Sequence, residues 1–175
     1  MTYGTPTWFE EVLKAVRTRV QTAVDLPESK VFITLAGDGD HLSAPPGDRF
    51  AVIRPGGFPV AVGVAGGGRA STGHDGAFGI NLFARYNSDQ ELRNAKLLTD
   101  STLGIMSLAF KLINGVQLHE PVNVNSVVIL REPMRMTGLA FDSTKAKDGN
   151  LWGVVRTSWE ASFNLNITVP SHQTA

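Results

Sequence analysis

The chain contains no cysteine. That excludes disulfides, thiolate metal sites and a cysteine nucleophile. There is no excess of either charge: Lys plus Arg number 16 and Asp plus Glu number 16. Tight non-specific nucleic-acid binding normally wants a basic surplus or patch, and no cluster of Lys and Arg stands out. Histidine is scarce: His41, His74, His119 and His172 lie far apart with no metal-ligand spacing. No apolar run reaches the length of a membrane span. The first residues, MTYGTPTWFEEV, lack the basic start and apolar stretch of a signal peptide. These features predict an intracellular protein, at least where it is made, with no cofactor and no metal. The 175 residues suit one domain with a real core.

What is present is organised around Asn87 to Gly115, which predicts one long helix of roughly 40 Å. Ser88 can cap it, with Glu91 completing a capping box, and Asp89 and Glu91 suit the positive end of the helix dipole. Leu92, Ala95, Thr99, Thr102, Leu103, Met106, Phe110 and Ile113 recur at helical steps. Gly115 falls where a left-handed C-cap belongs. A further line, Leu98, Ile105 and Leu112, widens the apolar stripe so that two sides are covered. The second side meets either the domain's own core or a neighbouring subunit. In the latter case Leu98, Ile105 and Leu112 are contact residues.

Around this helix the pattern is mixed. Thr7 and Glu10 open an amphipathic first helix that closes before Pro27, with Trp8, Val12, Val16, Val20 and Val24 on its apolar side. Val31–Leu35, Phe50–Arg54, Phe58–Ala65 and Ala77–Tyr86 read as strands. Ala36–Asp48 and Gly66–Gly76 read as long loops, the second as the flexible tip of a hairpin. Arg69 and His74 on that tip are candidate partner contacts. Along Ala77–Tyr86, Phe78, Ile80, Leu82 and Ala84 share one face, and Phe83 departs from the alternation. Val124–Leu130 continues past Pro133, a mark of an edge or bulge, into Met134–Ala140. Asp142–Asn150 forms a polar turn.

The closing stretch, Trp152–Val169, alternates strictly. Val155, Trp159, Ala161, Phe163, Leu165, Ile167 and Val169 face one way, and only Thr157 breaks the set. It spans over roughly 50 Å, so it either bends at a bulge or runs past the body of the domain. Trp152, on the polar face, is a candidate exposed contact. The tail from Pro170 to Ala175 is expected to fray. The fold class is therefore α+β: a mostly antiparallel sheet packed against an N-terminal helix and one long central helix, in a single domain over residues 1–175.

Catalytic patterns are weak. GGGRAST lacks the P-loop lysine and precedes a strand, not a helix. Ser71, His74 and Asp75 are triad residue types without a frame or a G-x-S-x-G elbow. Asp38, Asp40 and Asp48 fail the EF-hand spacing because Leu42 occupies a ligand position. No enzymatic activity is expected.

In its order of elements, and in the style of FAVIRPGG and VRTSWEASFNLNI, the chain resembles the tail terminator (tail completion) proteins of long-tailed bacteriophages. The resemblance covers Trp8 to about Ile167 and rests on no short motif, so no family residue is carried over singly. It implies a virion protein of the tail and neck, assembled in the host cytoplasm. Such proteins form a hexameric ring that stops tail-tube growth and meets the head connector. The implied partners are the chain itself, the tail tube protein and a head–tail connector or head-closure protein. DNA can pass through such a ring without sequence-specific recognition, and no membrane is involved. The alternatives are another ring-forming neck or tail subunit, such as a head-closure or tail-tube protein, or a small ligand-binding or enzymatic domain.

Overall fold

The computed structural model describes residues 7–56, 60–65, 69–94, 104–116, 123–124, 127–128 and 134–168. The protein is α+β. In chain order, α1 spans Thr7–Val24, a 3-10 turn Glu28–Lys30, β1 Val31–Ile33, α2 Asp38–Ser43, β2 Arg49–Pro55, β3 Val60–Ala65, β4 Arg69–Tyr86 and α3 Asp89–Arg93. Then follow α4 Ile105–Val116, β5 Asn123–Val124, β6 Val127–Val128, β7 Arg135–Lys145 and β8 Leu151–Thr168. The main sheet runs β1-β2-β4-β8-β7, with β3 added to β4; β5 and β6 form a separate pair. Among the described residues only β1 with β2 is parallel, and the other pairings are antiparallel.

Helix α1 buries Leu13, Val16, Val20 and Val24, positions that return to one face every three or four residues. Each such side chain contributes up to roughly 1.5–3 kcal/mol on burial. The helix ends in a Schellman closure. Asp25 adopts the left-handed conformation with φ 53°, and Leu26 N–H donates to the Gln21 carbonyl at 3.0 Å. The accompanying apolar contact is supplied by Leu26 and Val20, both in the core.

One face of the sheet carries the main core. Ala51 and Ile53 of β2, Phe78, Ile80, Leu82 and Ala84 of β4, and Val155 and Trp159 of β8 meet α1 and the buried stripe Ile105, Leu108, Ala109, Leu112 and Val116 of α4. Thr157, the one polar residue in the apolar series of β8, is a relay. It accepts from Trp159 Nε1 at 2.7 Å and donates to the Ile80 carbonyl at 2.7 Å, so the buried indole keeps its hydrogen bond.

The opposite face is also covered. Phe50, Val52, Phe83, Trp152 and Val154 form a second cluster under Leu42 and Ala146. Phe50 and Phe83, directly paired across β2 and β4, stack at 4.5 Å with 6° between planes. Trp152 meets Phe50 edge-on at 5.4 Å. Phe83 breaks the expected alternation because both faces of β4 are buried here.

Several expectations are corrected. Residues 36–48 are not an open loop: α2 forms there, with Asp40 Oδ2 accepting the Gly37 N–H at 3.0 Å and Ser43 Oγ donating to the Asp40 carbonyl at 2.7 Å. Most of the stretch 66–76, expected as the tip of a hairpin, is strand. Residues 69–76 are strand, all paired to β8 and residues 69–74 also to β3, and this pairing satisfies the backbone whatever the side-chain propensity. Residues 66–68 lie outside the described residues. The single long helix is not found. Ser88 does cap a helix, its Oγ accepting from Glu91 N–H at 3.2 Å, but α3 ends at Arg93 and α4 begins after Gly104. Residues 95–103 lie outside the described residues.

Gly115 is no left-handed cap either. It sits inside α4, where a Cβ would stand 2.4 Å from Ala23 Cβ, so its bare backbone permits the close approach of α1 and α4. The question left open by the length of β8 has an answer. β4 and β8 pair over all 18 positions with no register shift. β2 covers only Phe78–Ala84 of β4 and β7 only Leu151–Glu160 of β8. The far half is therefore a three-stranded extension, β3-β4-β8. Among the described residues the one register shift lies in β7, between Met136 and Gly138. The expectations at Pro133 and at Pro170–Ala175 lie outside the described residues.

Candidate functional site

The sequence-derived contact residues scatter. Ile105 and Leu112 are fully buried in the domain's own core, which removes them as contacts for a neighbour. Trp152 is likewise not exposed but 0% accessible in the second cluster, because the face taken as wet is covered by α2 and the turn after β7. Arg69 and His74 are strand residues, opposite Ala65 and Thr168, and opposite Val60 and Phe163. Leu98 lies outside the described residues.

The catalytic patterns do not converge. Ser71, His74 and Asp75 all lie along the single strand β4. Asp38, Asp40 and Asp48 go three ways: to Arg54 and Arg156, to the Gly37 N–H, and to Arg85 at 3.4 Å. Among the described residues no group of three or more His, Asp or Glu is placed to hold a metal, and no helix is long and apolar enough to cross a membrane.

Two other surfaces stand out. The first is apolar. Gly115 marks the flank of α4 that meets α1. At about 100° per residue, Met106 and Phe110 project from the opposite flank, where they are 39% and 58% exposed. Helix α1 packs over β1 and β2, and α4 over β4 and β8. The free flank of α4 therefore looks toward β7, the last strand of the sheet. On the helix side of β7, opposite Thr157 and Val155, stand Leu139 and Phe141, also exposed. Four large apolar side chains thus border a trough between α4 and the sheet edge, with no described helix over β7. Single exposed apolar residues are ordinary; four on two elements of the same side of the sheet make a candidate contact surface.

The second is polar. Asp38, in the first turn of α2, accepts hydrogen bonds from Arg54 of β2 and Arg156 of β8, and Asn81 Nδ2 of β4 stands 3.5 Å away. Asp142 of β7 lies 3.7 Å from the far side of the Arg156 guanidinium. The carboxylate thus clips α2 to three neighbouring strands, beside the aromatic cluster that Leu42 covers. Nothing in the spacing of these residues announces the cluster, because its members come from five elements.

No family model matches the chain, and no curated protein matches it.

Proposed function

We propose that the chain is the subunit of a ring, and that the ring is the terminator at the head-proximal end of a long phage tail. The observation that carries the reading is the apolar trough of Met106, Phe110, Leu139 and Phe141 beside a free sheet edge. Such a surface costs solvation while exposed and gains by meeting a partner. In a ring the natural partner is the next copy of the chain. The resemblance in element order and the closing strand supports the terminator over other ring proteins. The three-stranded extension β3-β4-β8 offers a second surface, suited to the tail tube protein or the head connector. The subunit then belongs to the virion, and its role is to end tube polymerisation and join tail to head.

Light scattering and negative-stain imaging of the same purified fraction test this. Discrete rings, or monomers that close into rings on tail-tube ends, support it. Unlimited filaments would replace it with a tube protein. A monomer indifferent to tube ends would overturn it.

A further inference from the structure

A cleft of about 340 Å³ opens at the end of the sheet where β2 begins and β4 finishes. That volume lies within the range of small-molecule sites, about 300–1,000 Å³. Three cationic side chains from three elements line it: Lys30 at the end of the 3-10 turn, Arg49 at the start of β2 and Arg85 near the end of β4. The acids facing it are Asp25 and Asp48. Asp48 meets Arg85 Nη1 at a long 3.4 Å, and its side chain is 78% exposed, so water screens the pair. Arg85 Nε is buried with no hydrogen-bond acceptor among the described residues. Lys30 has no carboxylate within ion-pair distance among them, its ammonium resting against Gly47, 3.0 Å from where a Cβ would stand. The backbone holds the floor still: Arg85 N–H donates to the Asp48 carbonyl at 2.8 Å.

We infer that this cleft binds a small oxyanion, a phosphate or carboxylate group, between Lys30 and Arg85. A guanidinium presents its donors as a planar fork that matches two oxygens of one anion, while the ammonium adds a point charge. The long, exposed contact with Asp48 engages the Arg85 guanidinium only weakly, so an anion in the cleft can compete for its outer donors. The site is independent of ring assembly, since none of its residues borders the trough.

Calorimetric titration of the full chain with inorganic phosphate, and separately with citrate, at constant ionic strength tests the assignment. Saturable binding of one anion per chain is expected from at least one probe. Binding of both marks a general oxyanion site, phosphate alone a phosphate ligand, and citrate alone a polycarboxylate. Lys30→Gln and Arg85→Gln should each weaken binding by about tenfold or more. Arg85→Lys, which keeps the charge and the fold but loses the fork, should recover only part of it. Lys147→Gln, which removes the same charge at the exposed turn after β7, should leave binding unchanged. Absence of saturable heat with both probes would overturn the assignment, as would equal weakening by Lys147→Gln.

Discussion

Asp38 and Arg156 are 118 positions apart in sequence and joined side chain to side chain. Their pairing, with Arg54 on the other carboxylate oxygen, fastens α2 onto the second face of the sheet. The Asp38 side chain is only 19% exposed, against 31% for Arg54 and 37% for Arg156. Removing it leaves Arg54 without that carboxylate and Arg156 with only the longer contact to Asp142, at 3.7 Å. Asp38→Ala is expected to cost roughly 2 kcal/mol, between the values for exposed and for buried pairs. Thermal unfolding should then shift down by about 4–8 °C for a chain of this size. Breaking the exposed Arg135–Glu160 pair, at 3.1 Å with side chains 74% and 51% exposed, should cost less than about 1 kcal/mol. Equal losses at the two sites would mean that the clip is ornamental.

Gly153 carries a packing constraint of a different kind. A Cβ there would fall 2.2 Å from Ile105 Cδ1 and 2.6 Å from Tyr86 Cε2. Helix α4 and the Tyr86 ring both rest on its bare backbone. Gly153→Ala should destabilise the domain by roughly 1–3 kcal/mol, the usual range for overpacking. Ile105→Val removes the nearest methyl group, so the double variant should lose less than the two single costs added together. Urea denaturation of the four proteins of that cycle measures the coupling, and strict additivity would argue against the contact.

These sites also show where the sequence is legible and where it is silent. Long periodic segments are readable. The four buried positions of α1 and the alternation of β8 through Val155 and Trp159 emerge from spacing alone, since burial on one side imposes a period. The exceptions Phe83 and Trp152 needed a second buried face, and that face exists only because α2 folds over it. Helix α2 has six residues, too few for a helical period to register. Strand residues 69–76 look like a loop because the run is rich in Gly, Ser and Thr, yet pairing to β8 throughout, and to β3 as far as His74, holds them. Met106 and Phe110 shared a stripe with true core positions. The distinction between Phe110 and Ile105 depends on where α1 and the sheet stand, which is tertiary information.

The Tyr86 side chain gives a dependence on pH. Burial pushes its hydroxyl above the ordinary 10.0, because the charged phenolate is poorly solvated there. Above that ordinary value the unfolded chain releases the phenolic proton while the folded chain keeps it. The unfolded state then binds fewer protons, so stability falls as pH rises. The contribution is intact below pH 10.0 and is lost as pH climbs through the raised folded value. Comparing urea midpoints from pH 8 to 11 for the wild type and Tyr86→Phe should show the wild type losing more stability at the alkaline end. Lysine titration affects both proteins alike and cancels. Parallel curves would contradict the burial effect.

The α4 flank separates assembly from folding. Phe110 is 58% exposed while Ile105 and Leu112 are 1% and 0% exposed on the same helix. Ile105→Asp and Leu112→Asp each bury an unpaired charge in the core and should abolish folding, a mechanism reserved for severe losses. Phe110→Asp and Phe141→Asp place the charge in water and should leave stability within about 0.5 kcal/mol of wild type. If the trough meets a second copy, those surface variants should nevertheless dissociate it, since truncating a central aromatic at an interface costs about 2 kcal/mol or more. Circular dichroism and light scattering on the same samples read the two effects apart. Folded Phe110→Asp protein that still assembles at wild-type concentration would remove the trough from the ring contact, whatever the ring itself turns out to do.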